Sequence, residues 1–489
     1  MLIATPAIFV ASDVNKMQDY QIDQYQELFE KQQKRALTLR KEGISIRKKK
    51  LKKLYNWLFD HRSEIIEAVQ NDLGKPEVEV DISEIQPIAS EIRYALNHLN
   101  KWARPTKVAP TLFMIGTRAR IQYEPKGVCL VISPWNFPFN LTLSPVISAI
   151  AAGNTVIMKP SERSVHTSEI IKRMIESICE PTDAAVILGG VEEAQALLKL
   201  PFNHIFFTGS TKVGKKVMEA AARNLASVTL ELGGKSPAII DETADLNDAI
   251  NRLTWGKFLN CGQTCVAPDY ILVHESKYEN LKEGLKKKAD EFFNASVNGF
   301  DKSSDYGRII DNQHLTQLSQ TLDKAVTEGA HIEMGGEIDK NQNYFSPTLL
   351  TDVNIDSRIM QEEIFGPILP IIKFSDLNKA IEFANDKPKP LSLYIFSKSR
   401  KNKNKILKET SSGGVVINDN IIHFSHLNLP FGGVNSSGVG KSHGYYGFLA
   451  FSNVKSVLEQ RVGFANSNLI HPPYNKWVKK FAEFIARYL

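Results

Sequence analysis

From residue 127 to about residue 240, short apolar runs alternate with segments that have the composition of helices. The apolar runs are GVCLVIS, NTVIMK, AAVILGG, HIFFTG, SVTLEL and SPAIID. The segments between them include LTLSPVISAIAAG, VHTSEIIKRMIESI, VEEAQALLKL and VGKKVMEAAARNL. Continuous apolar strands separated by helices indicate βαβ units, in which helices cover both faces of a parallel sheet. This alternation therefore predicts a doubly wound α/β lobe.

A second stretch of the same character runs from about 245 to 445, with strand-like runs such as YILVHE, LSLYIFS and GGVVIND. It predicts a second α/β lobe. Residues 104–125 read RPTKVAPTLFMIGTRARIQYEP, with short β-like runs and no helical period. We expect a hairpin there that reaches outward, and exposed hairpins of this kind often make oligomer contacts.

The segment before the hairpin, residues 18–103, is polar and charged and predicts helices. Its basic run Arg47 to Lys53 resembles a nucleic-acid patch when taken alone. However, apolar residues recur through it at helical spacing: Ile46, Leu51, Leu54, Trp57 and Leu58. We therefore interpret the lysines as the solvated side of a helix whose apolar face joins the core.

Composition excludes several classes of protein. With 489 residues, 43% hydrophobic and 23% charged, the chain is neither a disordered tail, a collagen-like fibre nor a disulfide scaffold. A net charge of +6 is mild for this length and gives no case for nucleic-acid binding.

Four cysteines fit a reducing compartment, so we expect a cytoplasmic protein. No window has the 18 consecutive apolar residues of a membrane helix, and residues 1–16 are interpreted as an extension before a start at Met17.

Four polar clusters each follow one of the apolar runs: SPWNFP (133–138), KPSE (159–162), FTGSTKVGKK (207–216) and ELGGKS (231–236). In open parallel sheets, ligands bind outside the carboxyl ends of the strands. Because the four clusters converge on one edge of the sheet, we expect that edge to form a binding site.

The cluster at 207–216 is the candidate for phosphate binding. Gly209 permits a tight turn, Ser210 can cap the helix that follows, and free N–H groups at a helix N-terminus favour a phosphate. The string nearly matches a P-loop, but Lys216 replaces the hydroxyl that would hold Mg²⁺. An ordinary capped helix explains the same residues.

In the KPSE cluster, Lys159 and Glu162 could hold a ribose, or could form a loose surface ion pair.

Three further side chains suggest covalent chemistry. Cys265 could be a nucleophile or a buried inert thiol, and neither it nor Cys261 has partners at metal-ligand spacing. Glu231 lies in an apolar strand, where burial would raise its pKa and suit a general base, although the Gly-Gly amides could simply satisfy it. Asn136 could donate to an oxyanion or stabilise a turn. Together they compose one reaction: thiolate attack on an aldehyde, hydride transfer to a nicotinamide, and thioester hydrolysis by water that Glu231 activates.

The motifs ISPWNFPFNLT, AAGNTVIMKPSE, FTGSTKVGK, ELGGKSP, NCGQTC, EEIFGPILP and PFGGVNSSGVG occur in this order. They resemble the NAD(P)-dependent aldehyde dehydrogenase superfamily, and are most similar to its class 3 branch of fatty and aromatic aldehyde dehydrogenases. The resemblance runs from about residue 20 to 460. It implies two doubly wound Rossmann-like lobes and a small β oligomerisation flap.

The resemblance also implies residue roles. Cys265 is the expected nucleophile, Glu231 the general base, and Asn136 the oxyanion donor together with the N–H of Cys265. The expected cofactor residues are Lys159, Ser161, Glu162, Gly209, Ser210, Gly214, Leu232, Glu363 and Phe365. The carboxylate of Glu162 should disfavour a 2′-phosphate, so the predicted cofactor is NAD, with NADP tolerated.

The predicted domains follow from the same resemblance. Residues 1–103 and 126–230 form the NAD(P)-binding domain, 231–446 the catalytic domain, 104–125 and 447–461 the flap, and 462–489 a C-terminal tail. The expected product is an acid formed from a medium-chain, long-chain or aromatic aldehyde, and the expected assembly is a homodimer. A coenzyme A-acylating dehydrogenase and an inactive cofactor-binding scaffold are the alternatives.

Two positions depart from the pattern, since Phe137 stands where the branch often has Tyr and Asn435 interrupts a glycine-rich loop. The C-terminal YNKWVKKFAEFIARYL lacks the hydrophobic anchor of membrane-bound members. Its apolar residues Trp477, Phe481, Phe484, Ile485 and Leu489 could form one helix face opposite lysines. That face predicts either a docked terminal helix or peripheral contact with a membrane.

Overall fold

The structure is a computed structural model that describes residues 7–294, 299–463 and 465–488. Residues 1–6 of the predicted extension lie outside the described residues. The helices are α1 (Ala7–Leu39), α2 (Ile44–Asp60), α3 (Arg62–Leu73), α4 (Glu77–Val80), α5 (Gln86–Trp102), α6 (Pro138–Ala152), α7 (Val165–Ile178), α8 (Val191–Leu197), α9 (Thr211–Arg223), α10 (Leu246–Phe258), α11 (Tyr278–Phe293), α12 (Asn312–Thr327), α13 (Arg358–Gln361), α14 (Leu377–Asn385), α15 (Arg400–Glu409), α16 (Gly444–Ala450) and α17 (Lys476–Tyr488).

The strands are β1 (Thr106–Val108), β2 (Thr117–Pro125), β3 (Val128–Ile132), β4 (Thr155–Lys159), β5 (Ala184–Val186), β6 (His204–Gly209), β7 (Ser227–Leu232), β8 (Pro237–Ile240), β9 (Tyr270–His274), β10 (His331–Met334), β11 (Ile338–Asp339), β12 (Tyr344–Phe345), β13 (Thr348–Thr351), β14 (Ile368–Phe374), β15 (Ser392–Phe396), β16 (Gly414–Ile417), β17 (Gly438–Val439) and β18 (Ser452–Gln460).

The first large sheet has the strand order β17-β7-β6-β3-β4-β5, parallel except for the short edge strand β17. Side chains alternate along β3, with Leu130 packing among residues of α1, α8 and α9, and Val131 among residues of α2, α5, α6 and α7. Helices therefore cover both faces, which explains why these strands are continuously apolar. The strand order reverses between β3 and β6, where such sheets bind ligands.

The second large sheet has the order β10-β13-β14-β9-β8-β15-β16, with β10 as its antiparallel edge. It packs in a core of its own together with residues of α10, α11, α12 and α14. Two parallel α/β sheets with helical layers confirm the predicted fold class.

A third, antiparallel sheet joins β1, β2 and β18. It is built from the two segments, 104–125 and 447–461, that were predicted to form the flap. The division into domains stays a prediction, and β7 crosses its proposed boundary because Glu231 and Leu232 still pair with β6.

Helix α2 confirms the interpretation of the basic run, since Leu51, Leu54, Trp57 and Leu58 are buried. Ile46 was expected on the same face and is 37% exposed, so that expectation was wrong. It stands in the first turn of α2, where Ile44 rather than Ile46 packs against the core, and the neighbouring Arg47 donates to the Ala151 carbonyl at 3.1 Å. No described helix is both long and apolar enough to cross a membrane.

Candidate active site

Two cavities meet at the half-buried side chain of Cys265. The larger, about 110 Å³, is almost wholly apolar and includes Phe137, Leu141, Trp255 and Phe424 in its lining. The smaller, about 30 Å³, is polar at one end, where Glu231 and Ser442 line it. Cys265 therefore lies between an apolar cavity and a smaller pocket that a carboxylate lines.

The fold explains why the two cavities meet at Cys265. Glu231 lies at the carboxyl end of β7, in the first sheet. Cys265 precedes β9 and Glu363 precedes β14, so both lie at the amino edge of the second sheet. The site thus forms where the carboxyl edge of one sheet faces the amino edge of the other.

Burial raises the pKa of the Cys265 thiol to about 12, and the nearby Glu363 and Glu231 carboxylates add to the increase. Backbone N–H groups at Cys265 and Val266 act in the opposite direction. A thiol in these surroundings is protonated at neutral pH, so its reaction as a nucleophile requires a neighbouring group to accept the proton.

Burial also raises the pKa of Glu231, to about 7, and the Ser442 hydroxyl opposes this by donating to Oε1 at 2.8 Å. His443 and Lys441 lower the pKa further through their charge. The other carboxylate oxygen, Oε2, has no hydrogen-bond partner among the described residues. Glu231 therefore has one oxygen held in place and one that can accept a proton near neutral pH.

Asn136 lies after β3 and is buried. Its amide Nδ2 donates to the Gln263 carbonyl at 3.0 Å, which ties it to the loop that carries Cys265. Its own carbonyl accepts from Asn260 Nδ2 at 2.7 Å and from Lys75 Nζ at 3.3 Å. One of the two N–H groups of the amide thus donates to the backbone of the loop that carries Cys265, and hydrogen bonds hold the residue on both sides.

The predicted ribose-binding residues follow β4. Lys159 is buried, and its Nζ donates to Glu162 Oε2 at 3.0 Å and to the Pro160 carbonyl at 3.1 Å. The Glu162 side chain is 46% exposed, and the pKa of its carboxyl is lowered, with burial opposed by a backbone N–H and by Lys159. Ser161 is buried, and its Oγ accepts from the Arg163 N–H at 3.2 Å. An ionised carboxylate next to an ammonium group can form hydrogen bonds with ribose hydroxyls.

The predicted phosphate turn links β6 to α9. Ser210 caps α9 by accepting from the Val213 N–H at 3.4 Å. A Cβ at Gly209 would lie 2.6 Å from the Phe207 ring, and a Cβ at Gly214 would lie 2.7 Å from Leu232 Cδ2. A side chain at either position would require the Phe207 ring or the Leu232 side chain to move, so the two glycines allow close packing of the turn and of α9 against the sheet. A capped N-terminus beside a glycine turn fits the phosphates of a dinucleotide.

Glu363 and Phe365 lie between α13 and β14. A Cβ at Gly233 would lie 2.0 Å from Glu363 Oε2, so that glycine lets the carboxylate approach the end of β7. Burial and Asp269 raise the pKa of Glu363 to about 8. Phe365 has φ of 53° and its ring contacts Trp135 at a centroid distance of 5.3 Å. The segment is held because the Ile364 N–H donates to Asp269 Oδ1 at 3.0 Å.

Several buried groups that support the site had no signal in the sequence. Lys75 and Glu84 form a fully buried ion pair at 2.7 Å that contacts Asn136 through Lys75. Glu91 accepts from the His443 ring at 3.1 Å, next to Ser442. These partners come from segments that are distant along the chain, so periodicity and motif spacing could not predict the pairs.

Comparison with known proteins places the chain in a family. The model for the aldehyde dehydrogenase family matches residues 6–457. The chain is 45% identical over 447 residues to 4,4'-diaponeurosporen-aldehyde dehydrogenase of Staphylococcus aureus, covering 91% of this chain and 96% of that one.

Two solved structures agree with this. A substrate-bound Staphylococcus aureus AldH superimposes with a TM-score of 0.90 at 43% identity, covering 94% of this chain and 99% of that one. An NAD+ complex of a Bacillus cereus aldehyde dehydrogenase has a TM-score of 0.79 at 30% identity, covering 86% and 85%. The chain belongs to the aldehyde dehydrogenase family.

Proposed function

We propose that this protein oxidises apolar aldehydes to carboxylic acids with NAD+ through a thioester on Cys265. The observation that carries the proposal is the position of Cys265, between an apolar cavity and the pocket that holds Glu231. The apolar cavity takes the aldehyde chain, and the polar pocket takes the water that completes the reaction.

In the first step, the Cys265 sulfur attacks the aldehyde carbon and its proton passes to a neighbouring carboxylate. Glu231 and Glu363 are the carboxylates whose charge acts on the thiol, and both have a pKa near neutrality. The carbonyl oxygen becomes an oxyanion, and Asn136 Nδ2 and the Cys265 N–H are the donors proposed to stabilise it.

The residues at the first sheet edge fit a nicotinamide dinucleotide. Lys159, Ser161 and Glu162 would hold its adenine ribose, and Glu363 and Phe365 the nicotinamide end. Gly209, Ser210 and Gly214 would form the phosphate turn, and Leu232 at the end of β7 is a further proposed cofactor-binding residue. When bound, the cofactor would supply a hydride acceptor for the tetrahedral carbon, so that oxidation would leave a thioester on Cys265. Because the Glu162 carboxylate is ionised and partly exposed, it disfavours a 2′-phosphate, so we propose a preference for NAD with NADP tolerated.

Hydrolysis of the thioester is assigned to Glu231. Its unpartnered Oε2 removes a proton from water, the hydroxide attacks the acyl carbon, and the thiolate of Cys265 leaves. Transfer to coenzyme A would not need this base, and an inactive scaffold would need neither the base nor the nucleophile. The presence of both in one cavity system supports hydrolysis.

The substrate class follows from the lining of the larger cavity. Its side chains are mostly aliphatic or aromatic, and the described residues that line it include no lysine, arginine or carboxylate that could bind a charged tail. We therefore propose medium-chain, long-chain or aromatic aldehydes. The similar Staphylococcus aureus protein is named for 4,4'-diaponeurosporen-aldehyde.

We further propose a homodimer formed through the three-stranded flap, and a reducing, cytoplasmic location. The dimer is supported by the exposure of the flap, where Val454 and Leu458 of β18 are 54% and 58% exposed. The location is supported by the four cysteines, none of which is paired in the described structure.

The experiment is an aldehyde panel from short aliphatic to long-chain and aromatic, with NAD and NADP in parallel. Reduced cofactor is expected with wild type and is expected to be lost in Cys265→Ala. Cys261→Ala is the matched control, because Cys261 is fully buried and hydrogen-bonded to Tyr306. No turnover of any aldehyde by wild type would contradict the proposal, and turnover that appears only when coenzyme A is added would support the acylating alternative instead.

A further inference from the structure

Phe365, at the proposed nicotinamide end of the cofactor site, has a backbone conformation that a phenylalanine rarely adopts. Its φ is 53°, in the left-handed region that glycine tolerates and bulky residues avoid. Residues in this region persist where the surrounding structure holds them, and they cluster at functional sites. The contacts that hold Phe365 therefore decide how its ring and the neighbouring Glu363 are presented to a cofactor.

The segment around Phe365 is held at three successive residues. The Ile364 N–H donates to Asp269 Oδ1 at 3.0 Å. A Cβ at Gly366 would lie 2.6 Å from a leucine side chain of α12, so the segment lies directly against that helix. Between these two positions, the Phe365 carbonyl accepts from His314 Nε2 at 2.8 Å. The hydrogen bond from His314 thus acts on the residue with the unfavourable φ, whereas the other contacts act on its neighbours.

The His314 ring is itself held from both lobes of the protein. Trp135, which follows β3, contacts the rings of His314 and Phe365 edge to face at centroid distances of 5.4 and 5.3 Å. Asp311 accepts from the His314 N–H at 2.8 Å and, through its other oxygen, from Arg163 Nε at 2.7 Å. The Arg163 guanidinium lies 4.6 Å from the centroid of the Trp135 ring. The five side chains therefore form a closed ring of contacts across the cofactor site.

His314 contributes a hydrogen-bond donor and no charge to this arrangement. A carbonyl oxygen only accepts, so the bond to Phe365 places the proton of the neutral ring on Nε2. Burial lowers the pKa of His314, against the effect of the Phe365 carbonyl, and this keeps the ring neutral at pH 7 and above. The effect of His314 on the site is therefore one of geometry.

We propose that His314 is a positioning residue for hydride transfer, because its bond to the Phe365 carbonyl holds Glu363 and Phe365 in the conformation that orients the nicotinamide. This inference rests on the proposed aldehyde oxidation. It distinguishes orientation from affinity, since the ribose and phosphate residues at the first sheet edge do not depend on His314. Loss of the donor should therefore slow hydride transfer while NAD still binds.

The test compares three substitutions at His314 by rapid mixing with an apolar aldehyde and NAD. The side-chain nitrogen of glutamine can reach the position of histidine Nε2, that of asparagine is too short, and leucine has no donor. His314→Leu and His314→Asn are expected to lower the rate constant of the burst of reduced cofactor about 3- to 10-fold, and His314→Gln to retain it within about twofold. His331→Leu makes the same change at an exposed histidine of β10 and is expected to match wild type.

Binding of NAD without aldehyde is the second measurement. The Kd from calorimetry is expected to change less than about threefold in each variant, because the residues proposed for the ribose and phosphates are unaltered. Thermal unfolding of each variant shows that it is folded. A role in folding alone would not be restored by glutamine and lost again with asparagine.

The proposal is overturned by a burst in His314→Leu as fast as that of wild type, or by a loss that His314→Gln does not restore. A Kd for NAD that rises as much as the burst slows would also overturn it, since His314 would then act on affinity. In each of these cases the wild-type burst leaves the proposed oxidation standing. No burst in wild type with any aldehyde would instead remove the proposed function itself.

Discussion

The hydrogen bond from Ser442 to Glu231 sets the pH at which the proposed thioester hydrolysis can proceed. The Ser442 hydroxyl donates to Oε1 at 2.8 Å in a buried site and holds the pKa of Glu231 down against the effect of burial. The variant Ser442→Ala removes this donor and leaves an ionised oxygen without a partner. We expect the pKa of Glu231 to rise above its value of about 7.

The size of the expected pKa shift follows from the charge of the Glu231 carboxylate, which accepts the hydrogen bond. A hydrogen bond to a charged group contributes about 1.5–3 kcal/mol, which corresponds to about one to two pKa units. At pH 7 the ionised fraction of Glu231 would fall from about half to between about 10% and 1%, so that hydrolysis slows about 5- to 50-fold. Near pH 9 and above, the variant should approach the wild-type rate.

The assay separates the two halves of the reaction. Rapid mixing with aldehyde and NAD gives a burst of reduced cofactor from acylation, and the following steady state reports hydrolysis. Ser442→Ala is expected to shift the pH profile of the steady state, and Ser442→Thr to retain most of the wild-type profile. Ser452→Ala is expected to leave the profile unchanged, because the Ser452 hydroxyl donates to the Phe448 carbonyl and not to Glu231. An unshifted profile in Ser442→Ala, with hydrolysis limiting, would refute the reasoning.

In wild type, Glu231 acts as a base only when ionised, so steady-state turnover should fall as the pH drops through about 7, and a flat profile down to pH 5 would contradict this. Glu162→Gln should raise the kcat/KM ratio of NADP to NAD, and an unchanged ratio would remove the electrostatic explanation. Lys75→Met should lower the free energy of unfolding by about 3–5 kcal/mol, because Glu84 is left charged and buried. Lys75→Met/Glu84→Leu should recover part of that loss in denaturant unfolding, and a double variant no more stable than Lys75→Met would argue against the buried charge as the cause.

The features that the sequence could predict are those that depend on local pattern. Continuous apolar runs became β3, β4, β6 and β7 because helices cover both faces of the sheet, and the polar cluster after each strand lies at the same carboxyl edge. Cys265 and Glu231 were both proposed for one reaction, and the structure places them on the lining of one cavity.

The features that could not be predicted depend on pairs brought together by the fold. Glu91 and His443 are 352 residues apart in the chain, and nothing in either segment indicates that the two side chains meet. Lys75 could be interpreted only as one more charge on a polar helical segment, whereas it is fully buried under the loop of Asn136. Ile46 shows the opposite failure, since helical spacing alone does not reveal that Ile44, and not Ile46, packs against the core in the first turn of α2.

The central claim is that Cys265 carries the acyl group and Glu231 releases it. The most direct measurement is rapid mixing of Glu231→Gln with an apolar aldehyde and NAD, followed by acid quench and mass spectrometry of the peptides. The account predicts a burst of reduced cofactor, a slow steady state, and an acyl adduct on Cys265 with none on Cys261. Full steady-state turnover in the variant, or an adduct on Cys261, would contradict it.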